Sequence, residues 1–109
     1  MQIEVLKSKI HRIKVTDGNL DYIGSLTLDK DLMDKVGLVR GEKIQVLNVD
    51  NGERLETYII EGEKGKGEVI VNGPATYKVK KGDLIIINSY AQIDFELATT
   101  FEPKLLIFD

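Results

Sequence analysis

The stretch "KIQVLNVDNGERLETYII", residues 43–60, decides the fold class of this chain. Two runs that mix apolar and polar residues flank Asp50-Asn51-Gly52. Asn-Gly between such runs is the strongest short-range signal for a β-hairpin. Because side chains alternate across a strand, every second residue of each run can enter a core. The sequence therefore predicts an antiparallel hairpin with one buried face.

Further strand patterns lie on both sides of this hairpin. They cover residues 5–15, 23–28, 68–72, 84–91 and 104–108. The run "LIIINSYA", residues 84–91, is apolar on both faces, which predicts a central strand. Turns are expected at Asp17-Gly18-Asn19, at Asn72-Gly73 and at residues 80–83.

Two segments predict short helices. In "DKDLMDKVG", residues 29–37, Asp29 is the expected N-cap and Gly37 the expected end. The buried stripe of this helix would be Leu32, Met33 and Val36. A second helix, "FELATTF" at residues 95–101, would be capped by Asp94. About seven short strands and two short helices are typical of a mostly β, small closed barrel, so residues 1–109 are expected to form a single domain.

The composition excludes several classes of function. The chain has no cysteine and one histidine, which excludes disulfides and thiolate metal sites and predicts no metal centre. A formal net charge of −3 disfavours nucleic-acid binding through a basic face. There is no signal-peptide pattern and no apolar run long enough for a membrane span. We expect a cytoplasmic protein that binds neither nucleic acid nor membranes.

Two patterns that could carry chemistry have a simpler structural interpretation. The glycine-rich loop at residues 62–67 lacks the following helix and the Lys-Ser/Thr pair of a phosphate cradle, which favours a plain hairpin loop. In a strand, Lys9 and His11 share one face while Ser8 points away. That spacing disfavours a Ser-His nucleophilic pair. Lys9 and His11 would instead form either a cationic binding face or, as is more common for such a pair, an ordinary solvated face.

The second strand of the hairpin leaves two interpretations open. Arg54, Glu56 and Tyr58 would share its outer face, and Thr57 would lie on the inner face. The outer face is either ordinary polar surface, which spacing alone favours, or an anion clamp from Arg54 beside a proton donor from Tyr58.

The pair Gly24-Ser25, within "DYIGSLTLD" at residues 21–29, has two interpretations as well. It could be an ordinary turn between strands. Alternatively, the serine hydroxyl could attack the preceding carbonyl in an N-to-O acyl shift, with glycine allowing a strained backbone. Elimination of the resulting ester and hydrolysis would leave a pyruvoyl group at the new N-terminus.

Motifs in four other stretches accompany this pair. They are "LKSKIHRIKVT" at 6–16, "VNGPA" at 71–75, "GDLIIINSYA" at 82–91 and "ATTFEPKLLIFD" at 98–109. Together with residues 20–29 and 46–60, they resemble the pyruvoyl-dependent aspartate 1-decarboxylase family in order, spacing and total length. The conjunction K-x-H-R, Y-x-G-S, N-G-x-R-x-x-T-Y and N-G is far more specific than any one motif.

This resemblance implies a fold, an assembly and a reaction. The family is a double-psi β-barrel that forms a homotetramer with active sites between subunits. It decarboxylates L-aspartate to β-alanine for pantothenate synthesis, through a Schiff base on a covalent pyruvoyl group. Self-cleavage would divide this chain into residues 1–24 and 25–109. A helper protein for maturation is left open.

The resemblance also implies roles for single residues. Ser25 would become the pyruvoyl group, Gly24 the new C-terminus, and Thr57 would polarise the Gly24 carbonyl during processing. Tyr58 would protonate the carbanion. The substrate-binding set would be Lys9, Arg54, Thr57, Asn72, Gly73, Pro74 and Ala75, with His11 and Tyr22 lining the site. Pro74 stands where the family usually has alanine, so an amide hydrogen-bond donor is missing from this loop.

A rival resemblance covers less of the chain. Residues 25–46 are similar to the swapped-hairpin module of AbrB-like DNA-binding regulators. The negative net charge counts against that interpretation. A barrel without activity is the remaining alternative, and it ranks between the decarboxylase and the DNA-binding protein.

Overall fold

The Asn-Gly hairpin forms as the sequence predicts. A computed structural model, which describes residues 1–109, pairs Lys43–Asn48 antiparallel with Arg54–Gly62 and sets Val46 opposite Leu55. Gly52, at the turn, has a φ of 76°. L-residues with a side chain rarely adopt that conformation, so glycine makes this tight connection possible.

The complete chain forms eight strands, two α-helices and one 3-10 helix. The strands are β1 (Gln2–Lys14), β2 (Asp17–Asn19), β3 (Ser25–Asp29), β4 (Lys43–Asn48), β5 (Arg54–Gly62), β6 (Val69–Asn72), β7 (Leu84–Asp94) and β8 (Lys104–Ile107). The helices are α1 (Lys30–Val36) and α2 (Phe95–Ala98), and the 3-10 helix is Gly73–Tyr77. Neither α-helix is long and apolar enough to cross a membrane.

The strands form one sheet in the order β2-β6-β3-β5-β4-β7-β1-β8. The pairs β2–β6, β3–β5 and β1–β8 are parallel, and the others are antiparallel. Just beyond β1, the Thr16 amide donates to the Val69 carbonyl over 2.8 Å. This contact joins β1 to β6, from opposite parts of the strand order, so the sheet curls back on itself.

The core lies inside this curved sheet. Sixteen apolar residues form one buried cluster, and Ile10, Leu26, Leu28, Ile59 and Ile87 are among its largest members. Strand β7 pairs with β1 on one side and with β4 on the other, which confirms the predicted central strand. Burying apolar surface of this kind is the main favourable term in folding.

Three local predictions were wrong. Asp17–Asn19 is not a turn but β2, because its backbone pairs in parallel with residues 70–72 of β6. Asn72-Gly73 does not turn back; the chain continues into the 3-10 helix, which tolerates Pro74 in its first turn, where no amide donor is needed. The Asp94 side chain does not cap α2, since its carboxylate accepts a hydrogen bond from Gln2 instead.

The predicted helix α1 is confirmed together with both of its ends. The Asp29 carboxylate accepts from the Asp31 amide over 2.8 Å, and Gly37 ends the helix with a φ of 73°. The same carboxylate also accepts from the Gly65 amide at 3.1 Å and the Gly67 amide at 2.5 Å. The amides of the glycine-rich loop therefore do bind an anion, but the anion is the chain's own Asp29.

Candidate functional site

Ser25 is the first residue of β3, and its side chain points into the protein. The residue is 0% exposed. Its Oγ donates to the Ile23 carbonyl over 3.1 Å and accepts from the Asn72 Nδ2 over 3.2 Å. A hydroxyl has one proton and two lone pairs. One lone pair of this oxygen, on the residue directly after Gly24, therefore takes part in no hydrogen bond.

Asn72 occupies the facing position on β6. The antiparallel register sets it directly opposite Ser25. Asn72 is 3% exposed, and its amide nitrogen donates a second hydrogen bond to the Thr27 Oγ1 over 3.0 Å. Buried polar groups are nearly always paired in this way. The two bonds fix the side chain of Asn72, which in turn fixes the Ser25 hydroxyl.

Thr57 and Tyr58 lie on opposite faces of β5, as the period of the strand predicts. The parallel register sets Leu26 opposite Ile59. Counting back two residues on each strand brings Thr57 level with Gly24. Thr57 is half-buried on the inner side, whereas Tyr58 is 38% exposed. Thr57 therefore faces the interior of the protein, and Tyr58 faces outward.

The two predicted cations lie apart from Ser25. Lys9 and His11 line a small pocket of about 210 Å³ with Leu105 and Ile107. The Nδ1 of His11 is buried there without a hydrogen-bond partner. Arg54 is exposed at the start of β5, on the face opposite Thr57.

The remaining predicted residues surround the Gly24–Ser25 bond or lie beside it. Asn72 ends β6, and Gly73, Pro74 and Ala75 begin the 3-10 helix that follows. Tyr22 is exposed on the segment that leads to Gly24. The carbonyl of Ala75 accepts from the amides of Lys78 and Val79, both at 3.0 Å, which closes the last turn of the 3-10 helix.

A surface cleft of about 490 Å³ is lined in part by Tyr58, and another of about 500 Å³ contains none of the predicted residues. The latter is lined by Glu4, Lys43, Gln45, Glu56 and Tyr90. An ion pair of 2.8 Å between Lys43 and Glu56 crosses it, and this pairing raises the pKa of Lys43. The volume of a cleft is therefore a poor guide to chemistry in this molecule.

A comparison with known protein families covers the whole chain. The family model described as aspartate decarboxylase matches residues 1–109. The chain belongs to the aspartate decarboxylase family. The match extends far beyond the residues 25–46 that resembled a DNA-binding module, and that alternative is set aside together with the inactive barrel.

Relatives within the aspartate decarboxylase family are similar over nearly their full length. An aspartate 1-decarboxylase from Flavobacterium psychrophilum is 57% identical over 106 residues, which cover 97% of this chain and 91% of the relative. One from Parabacteroides distasonis is 55% identical over 109 residues, covering 100% of this chain and 94% of the relative. Both relatives match this chain over at least 97% of its length.

Solved structures confirm the predicted double-psi β-barrel. The rationally designed protein mkDPBB_sym_86 superposes with a TM-score of 0.51 at 21% identity, covering 71% of this chain and 90% of the design. The computationally designed msDPBB_sym2 gives 0.51 at 18% identity, covering 80% and 96%. At such identities the likeness concerns the fold alone. The structure has one strand more than the seven predicted, namely β2.

Three groups near the Gly24–Ser25 bond of this aspartate decarboxylase were missed in the sequence. Thr27 accepts the second hydrogen bond of Asn72, and the Ile23 carbonyl accepts the proton of Ser25. Thr27 could have been found, because residues 25 and 27 share a face of one strand. The third group is the backbone of Gly73, whose φ is 66°; the residue itself was predicted, in the substrate-binding set, but its backbone conformation was not. Gly24, which was expected to be strained, has no left-handed φ.

Proposed function

We propose that this protein decarboxylates L-aspartate to β-alanine and carbon dioxide, with a reactive carbonyl made from its own Ser25. Membership of the aspartate decarboxylase family supports the reaction. One observation carries the proposal for this chain. It is the buried Ser25 hydroxyl, directly after Gly24 in the chain, whose position is fixed by hydrogen bonds with Asn72 and the Ile23 carbonyl.

The cleavage needs no reactant other than water. The Ser25 oxygen bonds to the Gly24 carbonyl carbon, the amide C–N bond breaks, and the hydroxyl proton ends on the Ser25 nitrogen. Loss of the Ser25 α-proton then expels the Gly24 carboxylate and leaves a dehydroalanine at residue 25. Water converts that group to a ketone and releases ammonia. The products are a chain of residues 1–24 and a pyruvoyl-ended chain of residues 25–109.

The surroundings of residue 25 fit a group that carries carbonyl oxygens. The amide of Asn72 is a hydrogen-bond donor aimed at this position, and Thr57 brings a hydroxyl level with Gly24. A pyruvoyl group supplies an electron sink for the loss of carbon dioxide from an amino acid bound through its amine. No metal is required for this chemistry.

The other residues then have separate tasks. Tyr58 would hold the proton that the α-carbon receives after carbon dioxide leaves. Lys9 and Arg54 would bind the two substrate carboxylates through charge-assisted hydrogen bonds. Asn72, Gly73, Ala75 and Thr57 would hold the substrate on the other side. Pro74 has no amide to donate, so its contribution is limited to shape.

The separation of these groups within one chain supports active sites between subunits. Along the sheet, the three strands β5, β4 and β7 lie between Lys9 on β1 and Ser25 on β3. The contact that brings the chain back to β6 is made by Thr16, seven residues beyond Lys9. Leu105 and Ile107 are exposed beside Lys9, at 53% and 63%. We therefore retain the homotetramer of the family. A role in pantothenate synthesis, a cytoplasmic location and a helper protein for maturation stay predictions.

Intact mass of the purified protein tests the proposal. We expect two separate chains, residues 1–24 and 25–109, the larger one lighter by one ammonia than a chain starting with serine. Ser25→Ala should stay whole and release no carbon dioxide from aspartate. Ser89→Ala is a matched control, because Ser89 is also buried but its Oγ has no partner. A wild-type chain that releases β-alanine while remaining uncut would contradict the proposal.

A further inference from the structure

The backbones of Gly73 and Gly24 are in direct contact. A β-carbon added to Gly73 would lie 2.7 Å from the Gly24 Cα and 2.8 Å from the Gly24 nitrogen. It would also lie 3.0 Å from the Tyr22 carbonyl oxygen. Carbon atoms that are not bonded prefer about 3.5–4.0 Å. The space that a side chain of residue 73 would need is therefore filled by the backbone that carries the proposed cleavage site.

The structure requires glycine at position 73 but not at position 24. A β-carbon added to Gly24 would meet the Pro74 Cδ at 3.5 Å, which is an ordinary contact. Gly73 in addition has a φ of 66°, whereas φ at Gly24 is not in the left-handed region. Lack of space and backbone conformation therefore both require glycine at position 73, which lies opposite the proposed cleavage site.

Hydrogen bonds fix the segment that places Gly73 against Gly24. The Thr76 Oγ1 donates to the Gly73 carbonyl over 2.8 Å, and two amides donate to the Ala75 carbonyl. Asn72, directly before Gly73, holds the Ser25 hydroxyl. Neighbouring residues of one segment therefore fix the attacking oxygen and the residue whose carbonyl it attacks.

We propose that Gly73 is a positioning residue for self-cleavage, whose bare backbone face holds Gly24 within reach of the Ser25 oxygen. This inference rests on the proposed function. Gly73 forms and breaks no bond itself. It limits the movement of the Gly24 carbonyl carbon while the new C–O bond forms and the C–N bond breaks. A misplacement of about 1 Å between reacting groups can cost about 100-fold in rate.

Gly73→Ala tests the inference against Gly67→Ala as a matched control. Gly67 has a φ of 70°, close to that of Gly73, but a β-carbon there would meet nothing within 4 Å. The control therefore carries the same backbone cost without the collision. Intact mass followed over time should show cleavage of Gly67→Ala at the wild-type rate. Gly73→Ala should be cleaved about 100-fold more slowly, with a circular dichroism spectrum like that of the wild type.

Hydroxylamine separates positioning from a later role. It cleaves esters, so it should convert part of the wild-type precursor to a residue 1–24 fragment that ends in a hydroxamate. Gly73→Ala should give no such fragment, because the ester does not form. If hydroxylamine cleaves Gly73→Ala as fast as the wild type, Gly73 acts after the acyl shift and the inference is wrong. Equal spontaneous cleavage of the two glycine variants would also overturn it.

A second variant approaches the same contact from the other side. If Gly73→Ala does not fold, Gly24→Val is the variant to measure. A β-carbon at residue 24 already lies 3.5 Å from the Pro74 Cδ, so the further branches of valine should move residue 24 away from Gly73. We expect slow cleavage in a folded chain, and cleavage at the wild-type rate would refute the inference. A wild-type chain that never cleaves would instead refute the proposed function, so the two failures are distinguishable.

Discussion

Asn72 donates one hydrogen bond to Ser25 and another to Thr27, over 3.2 and 3.0 Å, from a single amide nitrogen. Both acceptors lie on β3, and the donor lies on the neighbouring strand β6. The pairing of two strands thereby sets the orientation of the reactive hydroxyl. The site is built into the sheet and does not depend on a mobile loop.

Asn72→Ala should slow cleavage and weaken the fold. Loss of the amide leaves one buried and one partly buried hydroxyl oxygen without their donor, which costs about 1–3 kcal/mol of unfolding free energy. The freed Ser25 hydroxyl should attack about fivefold to tenfold more slowly. Thermal unfolding and intact mass measure the two effects. Asn51→Ala removes an exposed bond to the Lys78 carbonyl and should change neither by a comparable amount.

Thr57→Val and Tyr58→Phe should affect different reactions, because the two residues face opposite sides of β5. Thr57→Val keeps the shape but removes the hydroxyl level with Gly24, so we expect slower cleavage. Tyr58→Phe should be cleaved normally but lose about 100-fold or more in decarboxylation, since its proton donor is gone. Intact mass and carbon dioxide release separate the outcomes. Equal cleavage defects in both variants would contradict the assignment.

The proposed active sites between subunits predict complementation. Ser25→Ala and Lys9→Ala should each be inactive alone, the first without the carbonyl and the second without a substrate cation. Co-expressed, the two chains should form mixed oligomers in which some sites combine an intact Ser25 with an intact Lys9. Activity in the mixture, measured as β-alanine formed, is the expected result. A mixture as inactive as its components would indicate that each site uses one chain.

Asp29→Asn should destabilise the protein at neutral pH and much less in acid. Hydrogen bonds from the amides of Gly67, Asp31 and Gly65 lower the pKa of the Asp29 carboxyl. As pH falls, the unfolded chain therefore takes up a proton before the folded one does, and the wild type loses this stabilisation below about pH 4. The difference in unfolding free energy between wild type and variant should shrink over the same range.

The control for that experiment is Asp109→Asn, which changes an exposed carboxylate at the end of the chain. Denaturant unfolding at several pH values should give parallel curves for Asp109→Asn and the wild type. A constant gap between Asp29→Asn and the wild type from neutral to strongly acidic pH would show that the charge of Asp29 is unimportant.

Local signals in the sequence sufficed for much of the fold. The hairpin around Gly52, helix α1 between Asp29 and Gly37, and the central strand β7 all follow from residues that act on their neighbours. Strand β2 could not be predicted, because three polar residues become a strand only when β6 lies beside them. The same holds for Asn72-Gly73, which usually signals a turn and here begins a 3-10 helix.

The candidate site shows the same limit. The alternation of β5 correctly put Thr57 and Tyr58 on opposite faces. The contact between Gly73 and Gly24 joins residues far apart in the chain, and no periodicity of the sequence encodes it. The Asp29 carboxylate both caps helix α1 and binds the amides of the glycine-rich loop. The second contact could not be predicted, because it also joins residues far apart in the chain.

The position of β1 decides what a cut after Gly24 does to the molecule. This strand contributes thirteen residues, is bracketed by β7 and β8, and brings Ile10 and Ile13 to the core. All its partners belong to the larger piece. The proposed cleavage would thus alter covalent connectivity while the assembly survives, with residues 1–24 retained by non-covalent contacts. The two fresh termini gain local freedom inside an otherwise unchanged scaffold.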